Sequence, residues 1–458
     1  MPAMNDSFVR SESALSWRFP ATFWYANIAE LFERAAFYGM FIAMAVYLTN
    51  VVGFTDVGAG YVGAYFTAVL YLLPPFMGAI ADRIGFRFSL LLAFALLTMG
   101  YALLGAVPTK TAAVTALTLV LLGGAIVKPV ITGTVVKCSD EAHRARAFSI
   151  FYWTVNIGAF SGKTVAAPLR EHLGLQYINY YAALMAFIAF VWVALFYREV
   201  KSEATKSAKA ILSGLIEVVG NFRFMALILI VAGFWLIQGQ MYASMPKYVL
   251  RLVGEGAKPE WLANVNPFVV VLCVIPVTHM IRAVRPENAI GIALFLVTCS
   301  ALVMSVGLYF QKTMGGSVSI VGNFAMHPVT IALVMGIALQ GFAECFLSPK
   351  FLEYASRQAP PGEEGVYMGY QHLTNFFAWG IGFAMSGHLL DRYCPDPKTL
   401  SPEAHAQWTQ ALAGAGSMPV EYAHAHYLWY VYAGVGALAV LALCVFRWST
   451  RDRVPAAA

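Results

Sequence analysis

Glu30-Leu-Phe-Glu-Arg-Ala-Ala-Phe-Tyr-Gly-Met40 sets three ionisable side chains, Glu30, Glu33 and Arg34, inside an otherwise apolar run from Phe23 to Leu48. Such a run can cross a bilayer core, which takes about 20 helical residues. On a helix Glu30, Glu33 and Arg34 fall at i, i+3 and i+4, and Tyr38 follows four residues later, so all four leave from one side. Charges facing lipid are costly, which fits the stripe to a wet cavity between helices on a substrate or proton path. A static ion pair that only orients the first span is the alternative reading.

The composition extends this reading to the whole chain. Of 458 residues, 59% are hydrophobic and only 12% charged, with a mean hydropathy of +0.66. Soluble domains carry about 25% charge, so the chain reads as a polytopic, all-α integral membrane protein. The short alternating segments of an outer-membrane barrel are absent. The net charge of +6 points to basic turns at a membrane face and not to nucleic acid. Cys138, Cys273, Cys299, Cys345, Cys394 and Cys444 are scattered, which implies neither a disulfide framework nor a metal site. The polar first twenty residues hold no short apolar core, so the first span is expected to act as its own insertion signal.

Apolar segments fall at about 22–50, 58–80, 88–107, 112–137, 145–168, 178–198, 222–250, 263–284, 288–310, 328–355, 365–390 and 426–447, making twelve spans. The even-to-odd turns hold most of the basic residues, among them Arg83, Arg87, Lys137, Arg144, Arg146, Arg198, Lys201 and Lys206, as do the termini with Arg10, Arg18, Arg451 and Arg453. That face, with both termini, is expected to be cytoplasmic. The linker at 199–221 divides the chain into six-helix bundles at 1–198 and 222–458, the pattern of a two-bundle transporter with its substrate site near the midplane. The turn at about 391–425 reads as a solvated loop with one short helix.

Gly78-Ala-Ile-Ala-Asp82-Arg83-Ile-Gly85-Phe-Arg87, between the second and third spans, resembles the motif of the major facilitator superfamily at that place. Gly78 permits close helix approach, Asp82 can face basic groups across a seam, and Arg83 and Arg87 hold the turn in water. Arg282-Ala-Val-Arg285-Pro-Glu-Asn-Ala-Ile-Gly291 echoes it in the second half. These four residues, Gly78, Asp82, Arg83 and Arg87, are the candidate gating set.

Four further stretches are similar to the proton-dependent oligopeptide transporters, a branch of that superfamily that also includes nitrate carriers. They are the Glu30, Glu33, Arg34, Tyr38 stripe; Lys128-Pro129 in the fourth span; Arg146-Ala-Phe-Ser-Ile-Phe-Tyr152-Trp153-Thr-Val-Asn156-Ile-Gly158 in the fifth; and Glu344-Cys-Phe-Leu-Ser348-Pro349 in the tenth, with Asn266-Pro267 as a minor addition. The resemblance implies that Glu30, Glu33, Arg34 and Lys128 form the proton-coupling set and that Glu344 faces the amino end of a bound peptide. Two Glu near Arg34 and Lys128 can exchange partners on protonation, which supplies a bistable element.

The chain also departs from that pattern. Members that bind peptide carry Arg where Phe41 stands, and many have an acidic residue before the glutamine of the seventh span, where this chain has Gln238-Gly239-Gln240. Lys163, seven residues after Asn156, can supply the missing cation from the fifth span; a lysine snorkelling to the interface near Arg170 is the other reading. Tyr38, Asn156, Lys163, Trp235, Gln238, Glu344, Ser348 and Trp379 make up the candidate substrate set. No hydrolase, P-loop or dinucleotide motif is present, so no enzyme is expected and no cofactor beyond protons.

The expected function is proton-coupled symport of di- and tripeptides by alternating access, by a monomer surrounded by lipid in a bacterial inner membrane. The alternatives are the same fold carrying a modified amino acid, a nitrate-like anion or an exported compound, and a non-transporting solute sensor.

Overall fold

The computed structural model describes residues 19–140, 143–199, 208–314, 316–321, 324–358 and 372–450. Lys201 and Lys206 of the linker, and Arg10, Arg18, Arg451 and Arg453 at the ends, lie outside them. The first half comprises α1 (Ala21–Asn50), α2 (Asp56–Leu72), α3 (Pro74–Ile84), α4 (Phe86–Ala106), α5 (Lys110–Lys137), α6 (Arg144–His172) and α7 (Leu175–Phe196). The linker helix α8 (Ala208–Gly220) precedes α9 (Phe222–Ala243), α10 (Met245–Val253), α11 (Pro259–Leu262), α12 (Val265–Met280), α13 (Pro286–Ser305) and α14 (Gly307–Met314). A short antiparallel hairpin, β1 (Val318–Val321) with β2 (Phe324–Met326), leads to α15 (Pro328–Gln358), α16 (Leu373–Tyr393), α17 (Pro402–Leu412) and α18 (Tyr427–Thr450).

Among the described residues, nine helical segments are long and apolar enough to cross a membrane, and a tenth is the pair α2 and α3, bent by 51°. Proline explains the bend: Leu73 keeps helical dihedrals, but Pro74 and Pro75 after it lack the N–H groups that would continue the hydrogen-bond ladder. The remaining two of the twelve expected spans are α6 and α16. At 29 and 21 residues both are long enough to cross a core about 30 Å thick, but Arg144, Arg146, Lys163 and Arg170 make α6 polar, and Ser386, His388, Asp391 and Arg392 do so for α16. The chain is thus an all-α polytopic membrane protein.

Two local expectations change, and a third, one short helix in the loop at 391–425, is met. The seventh span does not run to residue 250: α9 ends at Ala243 and a separate helix starts at Met245, with Pro246 in its first turn where its missing N–H is harmless. The hairpin at 318–326 has no counterpart in the apolar pattern. The loop after α16 has one α-helix, α17, capped by Ser401, and two short 3₁₀ turns.

The helices gather into two compact units, one of Met1–Met40 with Leu73–Ile211, the other of Phe41–Leu72 with Leu212–Ala458. The boundary therefore passes through α1. In the first unit, α1 and α6 approach at backbone distance: a Cβ on Gly158 would lie 2.7 Å from the Leu31 carbonyl oxygen, one on Gly39 3.2 Å from that of Gly162, and one on Gly162 would overlap the Ala35 carbonyl. Small residues at such seams let membrane helices pack without a hydrophobic driving force. We expect Gly162→Val to shift backbone and lose more than the 1–3 kcal/mol typical of overpacking. Detergent-purified variant should elute as aggregate on size exclusion, whereas a monodisperse peak with wild-type melting would contradict the close seam.

In the second unit α2 lies on α16 in the same manner. A Cβ on Gly60 would be 2.7 Å from the Phe383 carbonyl oxygen and one on Gly387 2.6 Å from that of Asp56. Helix α13 packs on both α15 and α18, and α9 lies against α16 and α18.

Candidate functional site

In the first unit the α1 stripe is buried: Glu30 is 2% exposed and Glu33 not at all. The Arg34 Nε lies 3.2 Å from Glu30 Oε1 and donates to Glu33 Oε2 in a close contact, so one guanidinium serves both acids. The guanidinium also stands over the rings of Phe37 at 5.3 Å and Tyr38 at 5.9 Å, which suits its flat, weakly hydrated face. Lys128, half-buried on α5, is close enough to Glu30, Glu33 and Arg34 for the four charges to interact. Helix geometry supplied the stripe, and the i, i+3, i+4 spacing was legible. The approach of Lys128 required the fold.

Lys163 is 1% exposed, with its Nζ 5.8 Å from the centre of the Tyr38 ring. A lysine enclosed by protein is not one snorkelling to an interface. Asn156, on the same side of α6, is half-buried and donates to the Tyr152 carbonyl at 2.7 Å, within its own helix.

The turn after α3 is tightly built. Gly85 has φ of +91°, a conformation L side chains rarely adopt, and the Glu199 carboxylate accepts from the backbone N–H of Phe86 at 2.8 Å and Arg87 at 3.0 Å, capping α4. A Cβ on Gly78 would lie 3.3 Å from Pro129 of α5. Asp82 faces Lys137 at 3.9 Å, and Arg87 donates to the Ala194 carbonyl at 2.8 Å; Arg83 is exposed. Asp82, Gly78 and Arg87 thus tie the turn to α5 and α7, and Glu199 is a participant the motif did not reveal.

In the second unit Glu344 of α15 accepts from Gln238 of α9 at 2.6 Å, and Asn266 of α12 approaches the same carboxylate. No basic side chain among the described residues is near enough to influence Glu344. Lys350, two turns along α15, instead pairs with Glu353 at 2.9 Å and donates to the Arg282 carbonyl. Gln238 Oε1 is buried and takes no hydrogen bond from the described residues. Trp235 and Ser348 are half-buried; Trp235 meets Phe234 edge to face at 5.4 Å. Neither is hydrogen-bonded to Glu344.

Phe41, read in the sequence as a lost arginine, has a packing role. Its ring lies 4.8 Å from Tyr242, 5.5 Å from Trp379, 5.8 Å from Phe383 and 6.2 Å from Phe66. Trp379 also meets Tyr71 at 6.1 Å, and its buried indole N–H makes no hydrogen bond to the described residues. A Cβ on Gly239 would face the Trp379 ring at 3.7 Å, so the position vacated by an acidic residue looks onto this aromatic wall. Tyr242 follows Gln238 by four residues, which puts the wall and the Glu344 partner on one face of α9.

Two features escaped sequence reasoning. Tyr101 of α4 is wholly buried within electrostatic range of Glu33 and Arg34; a lone tyrosine in an apolar run reads as an interface anchor. Asp56, at the start of α2, accepts from Lys247 at 2.8 Å and from both Arg251 amino groups at 2.8 and 2.9 Å, all three residues being 5% exposed or less. Arg251 also donates to the Cys394 carbonyl at 2.5 Å and pairs with Asp396 at 3.6 Å.

Comparison with known proteins places these features in context. The family model of the Major Facilitator Superfamily matches residues 27–321. Multidrug resistance protein MdtH of Photorhabdus laumondii subsp. laumondii is 23% identical over 357 residues, covering 78% of this chain and 83% of that protein. Dipeptide and tripeptide permease A of Proteus mirabilis is 22% identical over 425 residues, covering 78% and 84%. Among solved structures, the POT family transporter PepTSo superposes with a TM-score of 0.69 at 19% identity, covering 95% of this chain and 99% of that one. A POT family transporter in complex with 5-aminolevulinic acid gives 0.71 at 16%, covering 93% and 97%, and the nucleoside transporter NupG 0.72 at 12%, covering 93% and 98%. At these identities the likeness speaks for the fold.

Proposed function

The chain belongs to the major facilitator superfamily, and from that premise we propose that this membrane transporter is a proton-coupled carrier, in the oligopeptide branch, of small solutes bearing a protonated amine. Di- and tripeptides are the first candidates. The observation behind this reading is Glu344: a half-buried carboxylate held by amides, with no basic side chain near it among the described residues. Such an ion requires a partner, and a solute ammonium supplies one. The four-charge group of Glu30, Glu33, Arg34 and Lys128 is the proposed proton site, because protonating either acid frees Arg34 for the other. Lys163, enclosed beside Tyr38, is a further proposed solute contact, assigned within the first unit alone. We place the protein in a bacterial inner membrane with both termini cytoplasmic and assign six spans each to residues 1–198 and 222–458.

The test is thermal stabilisation of purified protein by dialanine against N-acetyl-dialanine, which lacks the ammonium. A ligand at 100 times its Kd adds about 2.7 kcal/mol to the folded state. Dialanine should stabilise wild type and not Glu344→Gln, and the acetylated peptide should stabilise neither. Equal stabilisation by both peptides would refute the role of Glu344. A second reading, export of apolar amines, is favoured by the aromatic wall of Phe41, Tyr242 and Trp379 and by the relative named a multidrug resistance protein. Stabilisation by an aromatic amine alone, lost in Phe41→Arg, would select it.

A further inference from the structure

Helix α8 runs almost directly into a membrane span. Asn221 alone separates it from α9, and that residue is tied on both sides. Its backbone N–H donates to the Glu217 carbonyl of α8 at 3.1 Å, and its side chain accepts from the Phe224 N–H at 3.1 Å, capping α9. With φ of −77° and ψ of 88° Asn221 is not helical, so α8 and α9 do not continue as one rod. Phe222, the first residue of α9, is 83% exposed. A bulky aromatic ring at the end of a span belongs at the level of the lipid headgroups. With no slack in the connection, the end of α8 is held at the depth where α9 enters the bilayer.

The surface of α8 suits that depth. Leu212, Ile216 and Val219 stand at i, i+4 and i+7, on one side of the helix, and are 49%, 65% and 53% exposed. Val218 is 1% exposed and Leu215 half-buried, so α8 rests on the protein by a neighbouring strip and its apolar surface extends beyond that contact. Ser213 and Glu217, each one residue and about 100° on from Leu212 and Ile216, are exposed and polar. Protein contact, open apolar stripe and polar side thus succeed one another around the helix, the order of a helix lying flat in a lipid surface. The stripe is continuous with the lipid-facing side of α9 through Phe222 and Leu229, the latter 52% exposed. Residues 198–223 carry five basic and three acidic side chains, a balance that favours anionic headgroups. We propose that α8 is an interfacial helix, with Leu212, Ile216 and Val219 buried among the phospholipids of the leaflet that α9 enters and Ser213 and Glu217 turned to water.

The experiment is photo-crosslinking of the full-length protein in nanodiscs of phosphatidylethanolamine and phosphatidylglycerol. Benzoylphenylalanine, which inserts into C–H bonds on illumination, replaces Leu212, Ser213, Ile216, Glu217 or Val219 one at a time. All five positions are exposed, so the bulkier ring displaces no packing, and a monodisperse peak on size exclusion verifies the fold. Mass spectrometry of the tryptic peptide after Lys209 should show phospholipid adducts at Leu212, Ile216 and Val219 in about tenfold higher yield than at Ser213 and Glu217. Equal lipid yields at all five positions, or no lipid adduct at the stripe, would overturn the proposal. Adducts from the stripe to a peptide of the same chain or of a second copy would overturn it as well, by identifying protein as the occupant. The readout is independent of which solute is carried and of proton coupling.

Discussion

Arg34→Ala is expected to abolish proton-driven accumulation of solute, reducing it at least a hundredfold to the level of empty liposomes. Arg34 is the shared partner of two buried acids spaced three residues apart on α1. Without it, two like charges face each other in a site from which water is largely excluded, and they cannot both stay ionised. In the proposed mechanism the variant then holds a proton it has no means of releasing, and the proposed exchange of partners is lost. Lys128 remains on α5, but a single ammonium lacks the planar fork with which a guanidinium reaches two carboxylates. For the same reason Arg34→Lys should fall between the two. Uptake driven by an imposed proton gradient measures the effect, and solute counterflow at equal pH serves as the control, since exchange needs no net proton movement. Gradient-driven uptake surviving in Arg34→Ala would remove the cluster from the mechanism.

The second large effect is on stability. Asp56→Ala should lower the melting temperature of the detergent-solubilised protein by roughly 10 °C, because two cations, Lys247 and Arg251, lose the acceptor that serves them both. Breaking a buried ion group by removing one side costs about 3–5 kcal/mol, and each kcal/mol is worth about 2–4 °C in a large domain. Arg251 keeps Asp396 and the Cys394 carbonyl, so Lys247 is the residue left stranded. Lys247→Met in the Asp56→Ala background should therefore recover much of the loss, and the double-mutant cycle should show coupling well above 0.5 kcal/mol. Additive effects, or an Asp56→Ala variant that melts with wild type, would mean the three charges are not acting together.

Local features of this protein are legible in its sequence, whereas long-range pairings are not. The apolar runs are read from windows of about 20 residues, and the Glu30, Glu33, Arg34 stripe and the Asp82 turn from spacings of ten residues or fewer, which helix periodicity decodes directly. The breaks at Leu73 and Ser244 had signals, Pro74 and Pro246, but hydrophobic windows average over a single residue. Asp56, Lys247 and Arg251 could not be associated from sequence because 191 and 195 positions separate the partners. Phe41 shows a different difficulty. Against a family pattern it reads only as an absence, whereas its ring is the centre of an aromatic group whose four other rings come from three other helices, α2, α9 and α16. Tyr101 carried no pattern at all, since only coordinates show which tyrosines have an acid beside them.

The contact between α1 and α6 has one more implication. With Gly158, Gly162 and Gly39 interlocked against Ala35 and Leu31, neither helix can swivel or slide without its neighbour. Arg34 and Lys163 consequently travel as cargo on one stiff beam. In the proposed proton-coupled mechanism, whatever reorients that beam also re-aims the lysine, with no relay of intervening side chains.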